Sequence, residues 1–148
     1  MKGIIKPIFF LALLGIFSCA KSPSKSLHKT VLNSNWSFKE VNSKKWLPAT
    51  VPGCVHTDLI NNEIIEDPFY RLNESKVQWV DKEDWIYRTN FFLNEEQSNK
   101  KNHEICFEGL DTYCQVFLND TQILKSNNMH RTYFVDISKQ LKKGQNEL

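Results

Sequence analysis

Glycine is scarce in this chain, with five in 148 residues, and only Gly53, Gly109 and Gly144 lie beyond the first eighteen positions. Each stands alone at a boundary between patterned segments, so no glycine-rich loop exists to cradle a phosphate. An excess of one charge is missing too. The formal charge is +2, and Lys2 and Lys6 account for it, because setting residues 1–18 aside leaves 17 basic against 17 acidic side chains. A neutral domain lacks the basic stripe that displaces counterions from phosphates, which excludes nucleic acid as a partner. The four cysteines form no CxxC pair and no Cys/His spacing suited to a metal, so neither a metal nor a cofactor is expected. No apolar run reaches the roughly 20 residues that span a bilayer, and a mean hydropathy of -0.45 excludes an integral membrane protein. What is present, 41% hydrophobic and 12% aromatic residues, excludes disorder.

The one apolar run is Ile8 to Phe17, preceded by Lys2 and Lys6 without any acid. Charged-then-apolar order and short length are those of an export signal. It ends in Ile16-Phe17-Ser18-Cys19, followed by Ala20-Lys21-Ser22-Pro23-Ser24-Lys25-Ser26. This resembles the lipobox of bacterial lipoproteins, in which the cysteine is lipidated and becomes the mature N-terminus. The reading is therefore a lipoprotein signal peptide at 1–18, lipidation at Cys19 and a flexible tether at 19–30. The chain is expected to be exported and membrane-anchored, periplasmic or at the cell surface; a soluble secreted protein is the alternative. Each CH2 of an anchor buried in lipid contributes roughly 0.8 kcal/mol. Export permits disulfides, yet Cys54, Cys106 and Cys114 are an odd set. Cys106 and Cys114 flank a turn and face each other in one reading; buried free thiols are the favoured one.

From residue 31 onward, alternation dominates. Trp36 and Phe38 alternate with polar neighbours, and Trp85, Tyr87, Thr89, Phe91 and Leu93 repeat every second residue, predicting one long strand over 84–93. Ile105 and Phe107 make another strand. Val116 and Leu118 lead into Asn119-Asp120, which suits a tight hairpin, and 122–124 returns. Tyr133 and Val135 point one way and Phe134 and Ile137 the other; 141–144 turns into a last strand. Helix is expected only over 55–62 and 74–80. Short strands separated by turn signals predict an all-β antiparallel sandwich or barrel with one or two short helices.

Four segments in order resemble the N-terminal domain of β-mannosidases of the glycoside hydrolase family 2 type: Asn35-Trp36-Ser37-Phe38; Ala49 to Leu59, with Val51-Pro52-Gly53-Cys54-Val55-His56 inside it; Asp67-Pro68-Phe69-Tyr70-Arg71-Leu72-Asn73-Glu74 with Val77-Gln78-Trp79-Val80 and Asp84 to Arg88; and Phe107 to Thr112. The resemblance implies a jelly-roll β-sandwich of the galactose-binding-like type over 31–148. It implies membership of a retaining hydrolase that removes terminal β-D-mannose from β-mannoside oligosaccharides with two carboxylates about 5–5.5 Å apart. In that family both glutamates lie on a TIM barrel further along the polypeptide. The expectation is thus an accessory domain, incomplete at its C-terminus, whose partner is the missing barrel and which is inactive alone. The alternatives are a stand-alone carbohydrate-binding lipoprotein, a structural domain, or a β-galactosidase or β-glucuronidase relative.

No catalytic residue is assigned. The resemblance places the Asn73-Glu74 loop near a sugar subsite, and Trp79 lies in an irregular stretch suited to lining a cleft. Asn73, Glu74 and Trp79 are therefore the substrate-proximal candidates. Trp36 and Trp85, on alternating strands, are read as core. His56 is expected to bond a backbone group at the start of the first helix, and His28, His103 and His130 to face solvent. Arg88 is expected to pair with Asp111 or Glu108, and Asp111-Thr112 to satisfy backbone donors. The N-glycosylation patterns at Asn35, Asn73 and Asn119 are read as coincidence.

Overall fold

The computed structural model describes residues 27–148. The expected signal peptide, Cys19 and the tether as far as residue 26 lie outside the described residues. The chain divides into two units, residues 1–30 and residues 31–148; of the first, residues 27–30 are exposed coil. Among the described residues no helix is long and apolar enough to cross a membrane.

Strand β1 (Ser37–Glu40) lies between β2 (Leu47–Pro48) and β3 (Trp85–Arg88). Its Phe38 stands opposite Leu47 on one side and Tyr87 on the other. That side chain is fully buried, with the Tyr87 ring at 5.4 Å and the Trp85 ring at 5.7 Å. Burying a phenylalanine contributes about 1.5–3 kcal/mol, and each aromatic contact adds about 0.5–1.5 kcal/mol. Leu59, Val77 and Val80 complete this core, and Leu47, Ala49, Val55, Ile65, Trp85 and Tyr87 pack against it. Trp85 is half-buried and donates its indole N–H to the Val80 carbonyl at 3.0 Å; Trp36 is likewise half-buried, its indole bonded to Leu32.

The predicted long strand is in fact two. β3 pairs with β1, whereas β4 (Asn90–Leu93) pairs with β9 (Gly144–Glu147). Thr89 is the crossing point. It is buried, exchanges both backbone hydrogen bonds with Leu148 and donates its hydroxyl to the Ser34 carbonyl. Period-two alternation runs unbroken through it because both halves are extended, so the pattern carries no mark of the change of partner.

β5 (Glu104–Phe107) pairs with β8 (Tyr133–Asp136), and β6 (Cys114–Leu118) pairs with β7 (Thr121–Ser126); every pair is antiparallel. The β6–β7 hairpin turns on Asn119 (φ 48°) and Asp120 (φ 66°), the left-handed pair that matches strand twist. Asn119 also donates its amide to the Gln140 carbonyl and to Asn146 Oδ1. Asn146, itself buried, donates to the Lys142 and Gly144 carbonyls. Gly144 holds φ +90° there, where an L side chain is strained.

Several expectations are corrected. On β8 the inward set is Tyr133, Val135 and then buried Ile137, while Phe134 faces out, as strict alternation requires. The 74–80 helix is replaced by two 3-10 turns, Asn73–Lys76 and Val80–Lys82, held by i to i+3 bonds such as Val77 N–H to the Glu74 carbonyl. The first helix, α1 (Val55–Asn61), is where expected. A second, α2 (Glu95–Ser98), was not foreseen; Asn94 and Gln97 cap its start reciprocally. All three described cysteines are free, and the burial expected of them fails: Cys54 and Cys106 are exposed and Cys114 half-buried. Cys106 is an outward position of β5 opposite Phe134, and Cys114 stands opposite Ser126, so the strand registers keep the two thiols on separate pairs.

Candidate functional site

A buried acid anchors the loops at one end of this core. Asp58, on α1, is 1% exposed. Its Oδ1 accepts the Thr50 N–H and its Oδ2 accepts the Tyr87 hydroxyl, each at 2.8 Å. Asn62 adds a second tie, donating its amide to the Pro48 and Asp58 carbonyls. The helix is thereby fixed to the segment before it and to β3 beyond it. Gly53 belongs to the same arrangement, since a Cβ there would collide with the Thr50 carbonyl oxygen. The Val51–Pro52 peptide between them is cis. Burial first, and then the bond to Asp58, push the Tyr87 phenol above its ordinary value.

The chain leaving α1 builds an irregular but well-bonded loop. Asp67 Oδ1 accepts the Phe69 N–H at 2.9 Å, and its carbonyl accepts from Tyr70 N–H and from the Asn73 amide at 3.1 Å. Glu63 and Arg71 turn the backbone at positive φ, and the Arg71 guanidinium lies 5.1 Å from the Tyr70 ring. The result is a depression of about 590 Å3 bounded by Ile60, Ile64, Tyr70 and Asn73 with Glu63 and Glu66 on its rim. A second, of about 340 Å3, shares Ile64 and Asn73 with it and runs on to Val77 and Trp79.

The predicted residues are partly brought together. Asn73 and Trp79 border the second depression. Asn73 is 7% exposed and its amide is committed to the Asp67 carbonyl. Trp79 is 39% exposed and packs one side against Trp85 at 6.0 Å. Glu74 is exposed and borders neither depression. Asp58 was missed, although a lone acid between Thr57 and Leu59, inside an apolar turn, was a readable signal.

Other expectations change. Arg88 pairs with no carboxylate among the described residues; its guanidinium lies 3.7 Å from the Trp46 ring centre and its Nε is 3.4 Å from Ser37 Oγ. A strand position beside the half-buried Trp46 ring favours this stacking, worth about 0.5–2 kcal/mol. The ring of His56 bonds no backbone group among the described residues; Cys54 Sγ and Thr57 Oγ1, 3.2 Å apart, occupy the helix start instead. His103 is half-buried, not solvent-facing, with Nε2 2.9 Å from the Gln97 carbonyl. Asp111 Oδ1 accepts the Thr112 N–H and hydroxyl, as expected. Asn73 and Asn119, both committed to internal bonds, are unsuited to carry glycans. Among the described residues no group of three or more His, Cys, Asp or Glu is placed to hold a metal ion.

Helix-poor antiparallel pairs joined by irregular, well-bonded loops define a β-sandwich module. The chain belongs to the glycosyl hydrolase 2 galactose-binding domain-like family, whose pattern matches residues 36–148. It is similar to the β-mannosidase of Bos taurus, 38% identical over 130 residues that make up 88% of this chain and 15% of that one. In structure it is similar to the β-D-mannosidase of Dictyoglomus thermophilum, with TM-score 0.77 and 44% identity over 78% of this chain and 14% of that one. The exo-chitosanase of Amycolatopsis orientalis, at TM-score 0.66 and 20% identity over 76% of this chain and 15% of that one, shares the fold. The expected galactose-binding-like sandwich is therefore the fold. The chain spans about 15% of the length of the curated relatives it matches.

Proposed function

We propose that this chain is the N-terminal accessory domain of an exported, retaining β-mannosidase that removes terminal β-D-mannose from β-mannoside oligosaccharides. The observation that carries this is the shared likeness, in sequence and in backbone, to β-mannosidases from a mammal and a bacterium. The two carboxylates of the reaction belong on a barrel that follows in the longer polypeptide, and the isolated chain is inactive. Asn73, Glu74 and Trp79 are the substrate-proximal residues of this reading. Asn73 shapes the loop from beneath, and the exposed Glu74 carboxylate and Trp79 ring are what the loop offers a sugar. The test is hydrolysis of an aryl β-mannoside by the longer in-frame polypeptide and by the 148-residue chain. Cleavage by the first alone supports the proposal; cleavage by the chain itself, or of β-galactosides in preference, overturns it.

Export through Cys19 is the second half of the proposal, supported by the charged-then-apolar leader and the Ser/Lys/Pro tract after it. Cys19→Ser is expected to abolish acylation and release the protein from membranes. Fully membrane-bound Cys19→Ser protein would refute the anchor.

A further inference from the structure

Exposed apolar side chains are unevenly distributed. Ile60, Ile64, Phe69, Tyr70, Leu72 and Trp79 fall within one stretch of twenty residues, with Phe69 97% and Leu72 82% exposed. Phe69 and Leu72 are not loose, since the bonds of Asp67 and Asn73 fix the backbone on either side of them. A rigid loop holding large apolar groups in water is a docking surface. Its charge is as distinctive. Residues 60–84 carry seven acidic and three basic side chains, whereas the other described residues carry ten acidic and twelve basic.

We propose that this face, centred on Phe69 and Leu72, is the seat of the rest of the same polypeptide, through an apolar surface rimmed by Lys and Arg. The inference rests on the accessory-domain reading above. Relatives in which the matching region is about 15% of the length supply the mass of protein to cover it, and the acidic rim selects a basic counterpart.

The test compares maleimide labelling of Leu72→Cys in the 148-residue chain and in the longer in-frame polypeptide, with native exposed Cys106 on β5 as the reference thiol. Leu72 is largely solvated, so the substitution leaves the fold intact. Labelling of Leu72→Cys, relative to Cys106, is expected to slow at least tenfold in the longer protein. Hydrogen exchange over residues 63–79 of the unsubstituted proteins is expected to slow in parallel. Charge reversal at exposed Glu63, Glu63→Lys, is expected to restore part of the labelling. Equal labelling and exchange in a longer protein that cleaves aryl β-mannosides overturns the docking face and leaves the function standing. Protection without cleavage does the reverse. Protection already present in the 148-residue chain at concentrations where it dimerises assigns the face to a second copy and overturns the proposal, as does a reading frame with nothing after Leu148.

Discussion

Replacing Asp58 by alanine removes the acceptor for two donors at once, the Thr50 N–H and the Tyr87 hydroxyl. A buried donor left without a partner costs about 1–3 kcal/mol. The Thr50 amide points at a carboxylate that is 1% exposed, but Thr50 itself is exposed and the bond part-buried, so its share falls in the lower half of that range. The Tyr87 hydroxyl belongs to a half-buried side chain that water also reaches, so its share falls at the lower end of the range. The expected loss for Asp58→Ala is about 2–4 kcal/mol, out of a total of about 5–15 kcal/mol for a domain. Tyr87→Phe, which leaves the carboxylate bonded to Thr50, is expected to cost about 1–2 kcal/mol. Urea unfolding followed by tryptophan fluorescence measures both, and the double variant closes the cycle. A coupling of about 1–2 kcal/mol between the two sites is expected. If Asp58→Ala stays within about 0.5 kcal/mol of the parent at an unchanged denaturant slope, or if the two effects simply add, the buried carboxylate does not hold α1 to β3 and the reasoning fails.

Three further outcomes are expected. Phe38→Ala empties the most central position of the core and is expected to cost about 3–5 kcal/mol in the same unfolding assay; a loss under about 1 kcal/mol would show that the site collapses or was never packed. Cys54 and Cys106 are expected to react with a soluble thiol reagent well before Cys114, whose thiol burial pushes up, and mass-mapped labelling would expose the error if Cys114 reacted first or a Cys106–Cys114 disulfide were found. The Tyr87 phenol is raised above an ordinary value near 10, so its contribution to stability is whole below pH 10 and drains away as pH climbs past the point where the unfolded chain ionises. Alkaline titration at 295 nm is expected to show one tyrosine lagging, and Tyr87→Phe to lose that component; an unchanged late component refutes the assignment.

The hairpin at Asn119-Asp120 was legible because positive φ at two successive residues selects few side chains, and the sequence places two of them between apolar alternations. The break at Thr89 was not, because alternation reports which way a side chain points and says nothing about which strand lies alongside. α2 was hidden for a different reason: four residues present no apolar stripe, and only the Asn94–Gln97 box betrays it. The candidate loop was located by resemblance, and its candidates meet only in part, Asn73 as a buried brace and Trp79 as a surface ring. Arg88 and the cysteines were misjudged because charge and apolarity fix a preference for an environment, while strand register decides the neighbour. Arg88 found a tryptophan where a carboxylate was expected, and Cys106 was turned outward.

The pairing of β4 with β9 also sets a schedule. Gln145 follows its neighbour Asn90 by 55 residues, so at about 5–20 residues per second the ribosome takes roughly 3–11 s to supply the last strand after the first has emerged. During that interval Phe91 and Leu93 sit on a strand without its β9 partner, and an unpaired strand is prone to pairing with another chain. The crossing at Thr89 extends the delay to the other sheet, since the residue that follows β3 cannot settle until Leu148 reaches it. The β4–β9 pairing is therefore a late event that waits for residues 144–148.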